Sequence, residues 1–253
     1  TDHAEYMAVM RDAGDRSNPL SKLPFSAGLF SPDLAEIMRM FDRFVAARQG
    51  GTLPKEYLDP QITSRAWAEV REAAARHNQP GRFTTLVGYE FTSAPDGRNL
   101  HRNVIFRSAN VPDAPYSAST STDPEGLWRT MDGWRARGIE ALAIPHNSNG
   151  SDGLMFDSVR RNGQPVDKAY ADLRARNEPL VEITQIKGTS ETHPSLSPND
   201  EWANFELMET YIGRARPVTK FQGGYVRRAL MDGFVYRQTL GANPFKLGFI
   251  GSS

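Results

Sequence analysis

The sequence predicts an α/β fold built around a largely parallel sheet. Segments with helical spacing alternate with short apolar runs rich in β-branched and aromatic residues, the pattern expected of βα units. The apolar runs are mostly continuous rather than strictly alternating, as in strands covered on both faces. A chain of 253 residues suits one α/β barrel or two small domains. No internal repeat, low-complexity tract or clear linker interrupts it, so residues 1–253 are read as a single domain.

The first helix is expected at 31–48, where Ser31-Pro32 has the form of an N-cap followed by proline. A second is expected at 62–78. Strands follow at 85–91 (TLVGYEF) and 102–108 (RNVIFRS). Asp123-Pro124 opens a helix over 123–138 with the same cap-then-proline form. Then come a strand at 140–146 (EALAIPH), a helix at 166–177, a strand at 179–186 (PLVEITQI), a helix at 223–234 and a strand at 246–252. Residues 108–124 and 187–200 read as long loops, and loops of that length are often functional.

Composition narrows the function. The formal net charge is +0, which gives no electrostatic case for nucleic acid or an anionic membrane surface. No apolar run approaches the roughly 20 residues needed to span a bilayer. The chain has no cysteine, so disulfides and thiolate chemistry are excluded. Neither a Gly-x-Ser-x-Gly elbow nor a P-loop is present. The chain opens on Thr1 and closes on Gly251-Ser252-Ser253, directly after an apolar run. It is therefore expected to be part of a longer protein; the chain reads as soluble, cytoplasmic or periplasmic, with the compartment left open.

The residues suited to chemistry are few. Of five histidines, His77 ends a charged helix and reads as a surface residue. His101 opens one strand, His146 closes another, His193 sits in the loop KGTSETHPS and His3 follows Thr1-Asp2. In parallel α/β folds ligands bind beyond strand ends, and imidazole with carboxylate suits zinc, manganese or iron. A lone histidine after a strand is more often a hydrogen-bonded loop residue than a ligand; the recurrence at successive strand ends is what favours a metal. Glu90 is harder to explain so, because it lies between Tyr89 and Phe91 in an apolar strand, and a buried carboxylate is costly unless paired or metal-bound. Its alternative is a salt bridge to Arg102.

The stretches TDHAEY, GYEFTS, NLHRNVIF, AIPHNSNGSDGLMF, EITQIKGTSETHPSLSPNDE and GFIGSS together resemble the bacterial domain-of-unknown-function family 3604. That family is related to the PHP (polymerase and histidinol phosphatase) metal-dependent phosphoesterases. The resemblance implies a PHP-like distorted (β/α)7 barrel, incomplete at both ends, with two or three divalent metals (Zn, Mn or Fe) at the strand ends. Gly88-Tyr89-Glu90 matches the bridging glutamate, and His101 matches a ligand that follows it in one subgroup. Ile144-Pro145-His146 takes the place of an Ala-His-Pro-like motif in altered form. Thr1-Asp2-His3 looks like an Asp-His motif, with His3 a ligand and Asp2 behind it. The His-x-His motif is lacking, and the terminal Ser-Asp-x-His motif would begin where the chain stops. On that reading Glu90, His101 and His146 hold one near-complete site, and His3 is left with too few partners.

The implied chemistry is hydrolysis of a small phosphorylated molecule or a phosphodiester by metal-activated water. Arg102 and Lys187 are the candidate phosphate-binding cations, with surface ion pairs as their alternative. Asn147 and Asn149 are candidate substrate contacts, or turn formers. Glu191 and His193 are candidates for proton transfer; an ordered turn is the alternative for their loop. Two rival functions stand beside this one: amide or ester hydrolysis of amidohydrolase type, and a binding module without catalysis. Oligomeric state is left open.

Overall fold

The computed structural model describes residues 1–251. The chain divides into two compact units, one of Asp2 with Tyr6–His77, the other of Thr1, His3–Glu5 and the residues from Asn78 onward.

The smaller unit is helical. It holds α1 (Val9–Gly14), α2 (Leu34–Gln49) and α3 (Pro60–His77), with 3-10 turns at Pro19–Lys22, Pro24–Phe30 and Lys55–Leu58. Its core gathers Val9, Leu20, Met40, Phe44, Tyr57 and Ile62. The Tyr57 hydroxyl is satisfied inside it by Ser26 at 2.8 Å. Helix α2 starts later than the Ser31-Pro32 signal predicts. Asp33 is the cap, its carboxylate accepting the Ala35 N–H at 2.9 Å, while Ser31 holds the Asp33 N–H from outside at 3.1 Å.

The larger unit mixes helices with small sheets. Its elements are β1 (Gly88–Phe91), β2 (Arg102–Phe106), α4 (Pro124–Arg135), β3 (Ala141–Pro145), α5 (Lys168–Asn177), β4 (Leu180–Glu182), β5 (Thr184–Gln185), β6 (Gly188–Thr189), α6 (Val226–Leu240) and β7 (Gly248–Ile250). The α4 cap is Asp123, as expected, accepting the Glu125 N–H at 3.0 Å. The predicted strand 246–252 is realised as β7; Ser252 lies outside the described residues. No helix among the described residues is long and apolar enough to cross a membrane.

The sheets depart from the parallel expectation. Strands β1, β2 and β3 form an antiparallel sheet in that order, with Glu90 opposite Asn103 and Arg102 opposite Pro145. Only β4 and β7 pair in parallel, β5 and β6 form a hairpin, and no barrel closes among the described residues. The reason lies in the connections. The link 92–101 carries no α-helix and is shorter than the dozen or so residues a parallel crossover needs. After β2 the loop 107–123 runs back along the sheet, since Ser93 beyond β1 donates to the Thr122 carbonyl at 2.6 Å. Helix α4 then returns to the far end of β2, where Trp134 meets Phe106 at 5.5 Å. Two reversals start β3 where β2 ended, which makes the pair antiparallel.

One consequence positions the site. The end of β1, the start of β2 and the end of β3 fall on one edge of the sheet. Beyond β3 the chain is held by close backbone packing. Gly223, at φ 81°, lies with its Cα against the Gly153 carbonyl, where any Cβ would collide. Its own carbonyl accepts the Phe156 N–H at 2.8 Å.

Candidate metal centre

Glu90 is the hub of the shared edge. Its side chain is buried, and one oxygen, Oε1, meets three imidazoles: His101 Nδ1 at 2.7 Å, His146 Nε2 at 3.2 Å and His3 Nδ1 at 3.3 Å. Each histidine arrives by a different backbone route. His101 directly precedes β2, across from the end of β1. His146 follows Pro145 at the end of β3, and its N–H reaches the His101 carbonyl at 3.4 Å. His3 forms a parallel bridge beside Glu90, fixed by the Ala4 N–H on the Glu90 carbonyl at 2.9 Å. The rings of His3 and His101, and of His101 and His146, meet edge to face at 5.9 and 5.8 Å. Thr92 Oγ1 lies 2.7 Å from His3 Nδ1 and orients that ring.

The electrostatics favour the ligating protonation states. Burial opposes ionisation of Glu90, but hydrogen bonds from His101, His146 and His3 overcome it and hold the carboxyl well below its ordinary range. Burial pushes His101 down to about 4 against the pull of Glu90. Glu90 is thus an anion and His101 a neutral imidazole, the forms a metal needs. His3, Glu90 and His101 bring two ring nitrogens and a carboxylate oxygen within 4.8 Å of one another, donors of the kind that zinc and its neighbours take; His146 Nε2 touches the same Glu90 oxygen at 3.2 Å but lies outside that group of three. Bonds of about 2.0–2.2 Å place tetrahedral ligands roughly 3.3 Å apart, and the Glu90 oxygen stands 2.7 to 3.3 Å from the ring nitrogens. His146 Nδ1, the ring nitrogen turned away from Glu90, is buried without a hydrogen bond. The residues present therefore fit a divalent cation. His3, expected to lack partners, is corrected to a full member of the cluster.

The other sequence candidates divide. Arg102 is not available to a phosphate. It projects from the opposite face to Glu90, is fully buried, and donates through Nε to Glu178 at 2.7 Å. Strand alternation imposes this, because Arg102 is one residue out of phase with Asn103, the partner of Glu90. Asn149 is a buried tie rather than a substrate contact, donating to the Lys187 carbonyl at 3.0 Å and accepting from Ser190 Oγ at 3.0 Å. Lys187 is exposed. Glu191 is exposed and pairs with Arg227. Asp2 is exposed. Asn147 is buried, and its Oδ1 has no hydrogen bond.

His193 belongs to a second polar group. Its Nε2 meets Glu209 at 2.8 Å and its Nδ1 meets Ser195 Oγ at 2.7 Å. The Ser195 N–H also points at Nδ1, at 3.1 Å, so the proton is assigned to Nε2. The ring stacks on Phe221 at 3.8 Å. Sequence reasoning missed Glu209, Ser195 and Thr92, none of which stands out locally. It also passed over Glu182, buried at the end of β4 with Oε2 unpartnered. The signal that singled out Glu90, a carboxylate in an apolar run, was present there too.

The charge states predict a pH dependence for the metal-free protein. His101 titrates near 4 when folded and near 6.5 in its ordinary state. Its folded value is lowered, so the unfolded chain takes up the proton first as pH falls. Stability is fully present above about 6.5 and drops by about 3 kcal/mol on the way to 4. The depressed Glu90 carboxyl adds a further loss below its ordinary value of 4.5. Urea unfolding at about pH 7.5 and about pH 5 should show the first loss, and His101→Gln should flatten it. An equal pH response in both proteins would refute the assignment to His101.

No curated protein and no solved structure matches the chain. A family model described as protein of unknown function (DUF3604) matches residues 1–253, and the chain belongs to that family.

Proposed function

We propose that the chain is a metal-dependent hydrolase of the PHP-like kind, with phosphoesters as its first substrate class. The observation that carries this is the convergence of three imidazoles on one buried carboxylate oxygen. Glu90, His101, His146 and His3 would hold a zinc, manganese or iron ion, and further metals would need ligands beyond these four. A metal in this site would acidify a bound water and neutralise charge on the scissile group. The chain's own residues do the rest. Glu90 stays ionised and draws the three rings together. Thr92 orients His3. Asn147, with a free buried oxygen, can accept a hydrogen bond from substrate or from a water. His193, braced by Glu209, is the proposed proton carrier. The PHP relationship and its (β/α)7 barrel belong to the same proposal, supported by Gly88-Tyr89-Glu90 and the spacing of eleven residues to His101.

Amide or ester hydrolysis is the second reading. The sequestration of Arg102 in an ion pair with Glu178 favours it, because a nominated phosphate cation is withdrawn. The two are separated by loading the intact protein with zinc or manganese and assaying bis(4-nitrophenyl) phosphate against 4-nitrophenyl acetate and an anilide, with and without chelator. Chelator-sensitive phosphodiester cleavage is the expected result. Cleavage of the acetate or anilide alone would establish the second reading. A metal-loaded protein that cleaves none of them is not a hydrolase of this type.

A further inference from the structure

On the face of the sheet opposite Glu90 lies a cavity of about 230 Å³. Its charge balance is unusual. Arg102 and Arg174 are both fully buried and share a single carboxylate, Glu178, which is itself fully buried. Glu178 also accepts the Trp128 indole N–H at 2.9 Å. Two buried cations on one anion leave an excess positive charge, and buried charge is costly unless matched. Aromatic faces offset part of that cost: the Arg174 guanidinium lies 4.9 Å from the Phe245 ring centroid and 5.4 Å from that of Trp128. They leave its Nε, which is buried, without a hydrogen-bond partner.

Arg174, Trp128, Tyr170 and Leu154 line the cavity, and Arg161 lines it as well. Arg161 is exposed and has no ion pair among the described residues. The other charged groups of the wall are engaged. Arg160 is held by Glu125 and Asp167, Asp157 by Lys220 at 2.9 Å, and Asp123 by the cap of α4. A deep guanidinium whose Nη1 donates to the Tyr170 hydroxyl at 3.3 Å but whose Nε has no hydrogen bond, an exposed one without an ion pair, and aromatic walls define one kind of ligand.

We propose that this cavity binds a small organic anion with a flat apolar body, its acidic group on the arginines and its ring against Trp128 and Tyr170. The volume limits the ligand to about the size of a single ring, since a cavity of about 150 Å³ already holds benzene. Carboxylate and phosphate heads share the chemistry that two guanidinium groups recognise. The test is titration calorimetry on the intact, chelator-treated protein, which keeps metal-dependent anion binding at Glu90 out of the signal. Benzoate and phenyl phosphate are the probes, and benzyl alcohol is the uncharged control. Binding of at least one anion and not of the alcohol is expected, and the tighter of the two names the head group. Arg161→Ala, at an exposed position that leaves the fold intact, should weaken the anion about tenfold, with Arg161→Lys recovering part of it. No heat from either anion at millimolar concentration would overturn the proposal. So would equal binding of the alcohol, or an affinity unchanged in Arg161→Ala.

Discussion

Glu90→Gln is expected to abolish metal binding and, with it, hydrolysis. Glutamine preserves the shape of the side chain and removes the charge. The oxygen that meets His101, His146 and His3 within 3.3 Å then becomes half of a neutral amide. Its NH2 half can only donate, where the carboxylate accepted hydrogen bonds from the three rings. Removing a group that merely braces a metal ligand costs about 10–100-fold in affinity. Removing the sole anionic ligand should cost more, about a thousand-fold or greater. The measurement is metal per chain after dialysis, by elemental analysis, alongside phosphodiester turnover. Circular dichroism must show the variant folded, since lost charge-assisted hydrogen bonds cost about 1.5–3 kcal/mol each. His193→Gln is the matched control and should keep the metal while losing turnover. A Glu90→Gln protein that retains a full metal equivalent would put the metal elsewhere.

The site was more legible in the sequence than the fold that carries it. Glu90, His101 and His146 could be singled out because each breaks a strong local pattern: a carboxylate inside an apolar strand, and histidines at strand ends. His3 could be nominated but not connected, since its partner lies eighty-seven positions away and only the parallel bridge to β1 joins them. Arg102 shows the opposite limit. Its charge suggested phosphate, but which face it takes depends on strand register, and register is a long-range property. The same holds for strand direction. Periodicity locates β1, β2 and β3 to within a few residues, yet it is silent on where loop 107–123 goes. That loop, pinned by Ser93 to the Thr122 carbonyl, decides that the sheet is antiparallel. Glu209 and Glu178 acquire meaning only through their partners, His193 and the two arginines.

Glu178→Gln should be the most destabilising single substitution in the larger unit that leaves volume unchanged. The side chain sits at the end of α5, fully buried. Its Oε1 accepts from Arg102 Nε at 2.7 Å and from the Trp128 indole at 2.9 Å, and its Oε2 faces Arg174 Nη2 at 3.0 Å as an ion pair. Burial disfavours its charge, and Arg102 and Arg174 more than compensate, holding its carboxyl below the ordinary value. Glutamine keeps an acceptor for Trp128 and removes the only anion shared by the two guanidinium groups. Breaking a buried pair from one side costs about 3–5 kcal/mol, because the remaining charge is left uncompensated. Here two are left, against a total stability of order 5–15 kcal/mol. Urea unfolding should show this loss, and a double variant that also replaces Arg174 with Met should recover part of it by removing one orphan. A loss under 1 kcal/mol would mean that water or a flexible group already neutralises the arginines. Anion binding sharpens the test: benzoate in the adjoining cavity supplies the missing negative charge, so it should raise the unfolding midpoint more in Glu178→Gln than in the parent chain.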